Sequence, residues 1–206
     1  DLAFARDLGI ARVIAPMVES GYGMHDFVSG VKEILPFGKG RPELGVNIET
    51  ATAVRNLGVI LDQGADILTQ VTVGRSDLSK SMGCGVDSAP VTRATRAVVT
   101  AARQRGLCTF VGGGITPENA GRILDLSGAD CVNTRNFAFH RASSSRLAAA
   151  VRHALAAEII LLADDGSELA LRRIPALLGR LGERDRAALA PPLSRALDRI
   201  AEAFPC

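Results

Sequence analysis

Residues 44–83 read LGVNIETATAVRNLGVILDQGADILTQVTVGRSDLSKSMG. Two apolar, β-branched runs, 44–48 and 69–73, flank a segment of helical periodicity that closes at Gly64. Strand, helix, strand at this spacing is a βαβ unit, because parallel strands need a long crossover. The first run ends at Glu49. The second ends at Gly74, with Asp77 close behind. In a parallel sheet all carboxyl ends lie on one side, and α/β folds build their sites there.

The same alternation extends in both directions. Upstream, DLAFARDLGI has helical character, ARVIAPMVES is a β-branched run broken by Pro16, and MHDFVSGVKEIL places Phe27, Val28, Val31, Ile34 and Leu35 on one helical face. Downstream, a helix opens at Ser88 and stops at Gly106, and LCTFVGGG is a strand. A helix follows, with Thr116 as its cap and Pro117 at its first position. ADCVNTRNFAF is a strand, and SSSRLAAAVRHALAAEIILLA is a long helix. Glycines recur where helices give way to strands: Gly9, Gly64, Gly106 and Gly128. About five βα units in succession predict an α/β fold with a parallel sheet. Open doubly wound and closed (β/α)8 architectures both fit this pattern. Residues 164–206 are Arg-, Ala- and Leu-rich and amphipathic, and predict a helical extension of two or three helices. The expected division is therefore 1–163 and 164–206.

Composition narrows the function classes. The chain has 206 residues, 47% of them hydrophobic, which suffices for a real core. No apolar run reaches the ~18 residues of a membrane span, and no signal segment stands at the start, so no membrane partner is expected and the expected compartment is the cytoplasm. The net charge of +2 and 4% aromatic content, with no Trp, argue against a nucleic-acid partner. Cys84, Cys108, Cys131 and Cys206 form no CxxC pair and predict reduced thiols, not a zinc site. The chain begins at Asp1 with helical character, as a piece of a longer protein would.

From the residues alone, Glu49 and Asp77 admit two readings. They are a pair of hard-oxygen ligands suited to Mg²⁺ or Mn²⁺, or they are ordinary caps of the helices that follow, with Thr50 as an alternative cap. VGGGIT likewise reads as a tight strand-to-helix turn or as a phosphate cradle at Gly112, Gly113 and Gly114. His25, His140 and His153 are the three histidines; only His140 follows a strand. Glu19 ends a strand and suits a cap or supporting role.

LGVNIETATAVRNLGVIL followed by ILTQVTVGRSDLSKSMG resembles the paired signature of the HpcH/HpaI aldolase/citrate lyase family: a strand ending in (Q/N)-I-E-T, a helix, then a strand ending in G-x-x-D-L-S with a nearby Met-Gly. VIAPMVES resembles the family's V-P-M-V segment, and GADCVNTRNFAF resembles a last barrel strand. The resemblance covers residues 1 to about 160. It implies a partial (β/α)8 TIM-barrel fold and a metal-dependent lyase. Such an enzyme cleaves or forms a C–C bond next to a 2-oxo acid such as pyruvate, through a metal-stabilised enolate. It implies Glu49 and Asp77 as ligands of Mg²⁺ or Mn²⁺. Asn47 then lies near the 2-oxo acid, and Ser76 and Asp77 offer backbone N–H groups to its carboxylate. Arg75, where the family favours a small residue or Pro, either pairs with a substrate carboxylate or points outward. A full barrel takes about 250 residues, so the family's N-terminal units, with its general base, are expected to be missing here and the catalytic residues stay unassigned. The unpaired edge strands of such a partial barrel predict that this chain associates, and a homo-oligomer is expected for the complete protein. Two competing functions remain: a phosphate-binding barrel isomerase or synthase built on the glycine loop, and a non-catalytic barrel remnant.

Overall fold

The computed structural model describes residues 1–35, 42–188 and 194. The elements in chain order are α1 (Leu2–Asp7), β1 (Arg12–Ala15), α2 (Gly21–Ile34), β2 (Glu43–Ile48), α3 (Ala51–Arg55), α4 (Leu57–Gln63), β3 (Gln70–Gly74), α5 (Arg75–Ser81), α6 (Ala89–Arg103), β4 (Cys108–Gly112), α7 (Ala120–Ser127), β5 (Cys131–Asn133) and β6 (Ala138–His140). A 3₁₀ turn at Arg141–Arg146 leads to α8 (Leu147–Asp165), α9 (Glu168–Leu171), α10 (Ile174–Leu178) and α11 (Glu183–Ala188). No described helix is long and apolar enough to cross a membrane.

The chain forms two compact units. The first is Asp1–Gly113 with Leu124–Cys131; the second is Gly114–Ile123 with the chain from Val132 onward. The break therefore does not fall at 163/164. The reason is α8, which runs through that point to a left-handed cap at Gly166 and packs against α9 and α10. It buries Leu147, Val151, Leu155, Ile159 and Ala163 on one side and Ala154 and Glu158 on others. Ala170, Leu171, Ile174 and Leu177 complete that core. The expected extension beyond 188, Ser194 apart, and Cys206 lie outside the described residues.

In the first unit β1, β2, β3 and β4 are parallel and lie side by side in chain order. Leu44, Val46, Ile48, Val71, Val73 and Val111 are buried on the face that alternation turns toward the helices. At about 25 cal/mol per Å² of apolar surface, each such side chain contributes roughly 1.5–3 kcal/mol. The other face is curled, for the Arg12 guanidinium on β1 lies 5.6 Å from the Phe110 ring on β4.

Two expected elements are interrupted. The helix expected across 51–64 breaks at Asn56, whose Nδ2 leaves to donate to the Glu19 carbonyl at 2.8 Å. The strand expected across 129–139 splits into β5 and β6, with a turn closed by the Thr134 N–H on the Phe137 carbonyl. Glu158 of α8 causes this: its Oε1 accepts from the Thr134 hydroxyl at 2.6 Å and the Asn136 N–H at 2.7 Å. Among the punctuating glycines, Gly9, Gly106 and Gly128 take positive φ. Gly64 does not; a Cβ there would meet the Met24 and Leu68 side chains at 2.7 and 2.6 Å.

Candidate active site at the carboxyl ends of the strands

Register lines the site up. Ile48 pairs with Val73 and Gly74 with Gly112, so Glu49, Gly74 and Gly112 form one row across three strands. Glu49 is only 7% exposed. Its Oε1 accepts the Met17 N–H at 2.9 Å, and its Oε2 lies 3.5 Å from Asn47 Nδ2. The first is a good hydrogen bond and the second a long one. No Lys, Arg or His forms an ion pair with it among the described residues.

Its neighbours are arranged around it. A Cβ on Gly74 would lie 2.5 Å from Glu49 Oε2 and 2.8 Å from Glu49 Cβ. Gly74 has φ −85, so contact, not backbone freedom, demands glycine there. Met17 has φ 55 and is the one non-glycine residue with positive φ among those described. That conformation costs an L-residue about 1–2 kcal/mol, and here it turns a main-chain N–H onto Glu49. The Asn56 bond to Glu19 holds the same loop.

Capping does not explain Glu49. Thr50 caps α3, accepting the Ala53 N–H at 3.1 Å, and the Ala51 N–H donates to Ser81 Oγ at 3.0 Å. Asp77 sits in the first turn of α5, and its Oδ1 accepts from Lys80 Nζ at 2.9 Å on the surface. Exposed pairs of this kind are worth under about 1 kcal/mol, so turning the Asp77 carboxylate elsewhere costs little. Ser76 offers its main chain: a Cβ on Gly113, which has φ 90, would lie 2.4 Å from Ser76 N. Glycine at 113 thus lets this loop pack closely against the start of α5.

Arg75 does not point outward, one of the two alternatives its position offered. Its side chain is 4% exposed. Nη1 donates to the Gly113 carbonyl at 3.1 Å, and Nη2 to the Val86 carbonyl at 2.7 Å and Asp87 Oδ1 at 2.6 Å. It ties three loops together, and its donors on those groups are spent. The glycine loop is a constrained turn: Gly113 and Gly114 both have positive φ, the Gly113 carbonyl accepts from Arg75, and the Gly114 carbonyl accepts from Asn119 Nδ2 at 2.8 Å. Thr116 and Asn119 bond each other reciprocally and the Ala120 N–H donates to the Thr116 carbonyl, so Thr116 caps the turn that leads into α7, as its sequence position implies.

The histidines are used locally. His25 Nε2 is 3.5 Å from Ser29 Oγ, His140 Nδ1 accepts the Ala142 N–H, and His153 Nδ1 lies 2.7 Å from the Ala149 carbonyl. Glu19 is exposed and contributes its carbonyl. A cavity of about 680 Å³ adjoins the loop after β1, and Glu19, Asp26 and Glu33 line it without any basic residue. Three carboxylates do not suit an anionic 2-oxo acid. Sequence reasoning missed Met17, Asn56 and the reason for Gly113. Pro16 before Met17 was the available signal that the strand had ended.

A sequence profile of the HpcH/HpaI aldolase/citrate lyase family matches residues 1–129. No curated protein matches. Solved structures do. RipC from Yersinia pestis superimposes with a TM-score of 0.54 at 15% identity, covering 71% of this chain and 66% of that one. An HpcH/HpaI aldolase from Desulfitobacterium hafniense gives 0.51 at 21%, with 65% and 61% covered. An HpcH/HpaI aldolase/citrate lyase family protein from Burkholderia cenocepacia gives 0.53 at 20%, with 75% and 67% covered. The chain thus spans about two thirds or less of the first two, and the likeness supports a partial barrel fold.

Proposed function

The chain belongs to the HpcH/HpaI aldolase/citrate lyase family, and from that premise we propose that it is a carbon–carbon lyase that uses Mg²⁺ or Mn²⁺ to cleave or form a bond next to a 2-oxo acid such as pyruvate. The observation that carries this reading is Glu49: a buried carboxylate, held by one main-chain N–H, with no cation paired to it among the described residues. A hard divalent ion is the partner such an oxygen set fits.

Glu49 is one ligand. Asp77 becomes the second by leaving its surface pair with Lys80. Two carboxylates with water and substrate are an ordinary shell for these ions. Once bound, the ion supplies Lewis acidity to the keto group of the substrate. The protein does the positioning. Asn47 steers Glu49 through its amide and borders the 2-oxo acid. The first-turn N–H groups of Ser76 and Asp77, which have no acceptor within α5, receive the substrate carboxylate. Arg75 fixes the Gly113 loop beside Ser76 by donating to its carbonyl.

Mn²⁺ titration followed by electron paramagnetic resonance tests this. The protein should bind Mn²⁺, Asp77→Asn should weaken binding, and added pyruvate should change the bound-ion spectrum. Mn²⁺-dependent decarboxylation of oxaloacetate is the activity readout. Mn²⁺ bound equally well by Glu49→Gln and Asp77→Asn overturns the metal reading. Metal-independent heat protection by phosphate would point to the glycine-loop isomerase instead.

A further inference from the structure

At the opposite end of the sheet, two thiols meet. Cys108 is the first residue of β4 and Cys131 the first residue of β5. The two starts are locked together next to them. Asp130 Oδ2 accepts from the Thr109 N–H at 2.9 Å and the Thr109 hydroxyl at 2.7 Å, and the Asp130 N–H donates to the Thr109 carbonyl at 3.1 Å. The thiols of Cys108 and Cys131 lie near enough to perturb each other. Cys108 directly precedes Thr109 and Cys131 directly follows Asp130, so the two thiols stem from residues next to these cross-strand bonds. Access is unequal: Cys108 is exposed and Cys131 is 6% exposed. This is the arrangement of an attacking thiol backed by a resolving one.

We propose that Cys108 and Cys131 are a redox-active dithiol that a peroxide converts to an intramolecular disulfide stapling β4 to β5. The Cys108 thiolate attacks one peroxide oxygen and breaks the O–O bond, giving a sulfenic acid and hydroxide, which is protonated to water. The Cys131 sulfur then displaces the hydroxyl from Cys108 sulfur, and its thiol proton leaves with it as a second water. Two thiols lose two electrons and two protons, and the peroxide gains them. Burial and the nearby Cys108 push the Cys131 thiol up to about 12, so Cys131 waits protonated. Burial and Asp130 raise Cys108 too, so the first step quickens as pH rises.

The dithiol stands at the strand starts, away from Glu49, so oxidation leaves Mn²⁺ binding unchanged. The folded protein is treated with hydrogen peroxide, alkylated and cleaved with trypsin. The expected product is Gly106–Arg122 joined to Ile123–Arg135, lighter than the two peptides by two hydrogens, with loss of two of the four titratable thiols. A dithiol reductant should restore both. Cys131→Ser should instead accumulate sulfenic acid on Cys108, trapped by a cyclic diketone. The parent protein's peptide map stands even if that variant fails to fold. Cys108 recovered as sulfinic acid beside reduced Cys131, or joined to Cys84, Cys206 or another chain, overturns the proposal.

Discussion

Glu43 opens β2 and Glu49 directly follows it, and by alternation the two fall on one face, yet their carboxylates are handled in opposite ways. Glu43, the first residue of β2, is exposed and takes Arg12 Nε at 2.9 Å and Nη2 at 2.5 Å. Glu49, just past the last residue of β2, is buried and takes a main-chain N–H and a distant amide. One end of the strand satisfies its carboxylate with a protein cation. The other leaves that need open and surrounds it with glycine. The difference separates a carboxylate that serves the fold from one that serves a ligand.

Glu49→Gln breaks the contrast hardest. Mn²⁺ affinity should fall about 100-fold or more, at least the loss seen when even supporting groups of a metal site are removed. Thermal stability of the metal-free protein should hold, because Gln keeps the shape and an oxygen that can accept the Met17 N–H. Both are read from one Mn²⁺ titration and one melting curve. A matching loss of stability would make Glu49 a structural group like Glu43.

Gly74→Ala comes next. The new methyl collides with Glu49 at Oε2 and Cβ, and overpacking of this kind costs roughly 1–3 kcal/mol. Urea unfolding should show that loss, together with weaker Mn²⁺ binding. Unchanged stability would mean that the Glu49 side chain swings freely.

Thr50→Ala sharpens the contrast by changing the neighbouring residue. Loss of the cap on α3 should cost about 1 kcal/mol and leave Mn²⁺ affinity unchanged. The smallest effect belongs to Glu43→Gln. An exposed ion pair contributes about 0.2–1 kcal/mol and fades with salt, so a difference in urea midpoint at low salt should vanish in concentrated salt. A large, salt-independent loss would show that the Arg12–Glu43 pair is built into the core.

The β2–β3 stretch was legible because its signals are local. Alternation, Gly64 and the spacing of Glu49 to Gly74 are all fixed by one helix and one strand. Residues whose role depends on distant partners were not legible. Asn56 sits in unbroken helical periodicity, and nothing local in the sequence marks it as the residue where α3 ends and whose side chain reaches the Glu19 carbonyl. The strand at 129–139 is β-rich throughout, but Glu158, more than twenty residues on, claims its middle. Arg75 reads as a loop cation until Val86, Asp87 and Gly113 are seen to enclose it. At the site, Glu49 and Gly74 stood out from their motif. Met17 did not, because it contributes a backbone group and a dihedral angle, and neither is written in a side chain.

The parallel order of β1 to β4 also bears on how the polypeptide is made. Each strand docks on its immediate predecessor: Arg12 meets Glu43, Gly45 meets Gln70, and Gln70 meets Cys108. No strand of this set waits for one synthesised much later. Loop-closure entropy grows only slowly with length, so each docking carries a similar cost as the nascent chain lengthens. Emerging from the ribosome amino end first, the unit can assemble strand by strand. The Glu49 pocket is completed when Gly74 clears the exit tunnel, well before α8 has been translated.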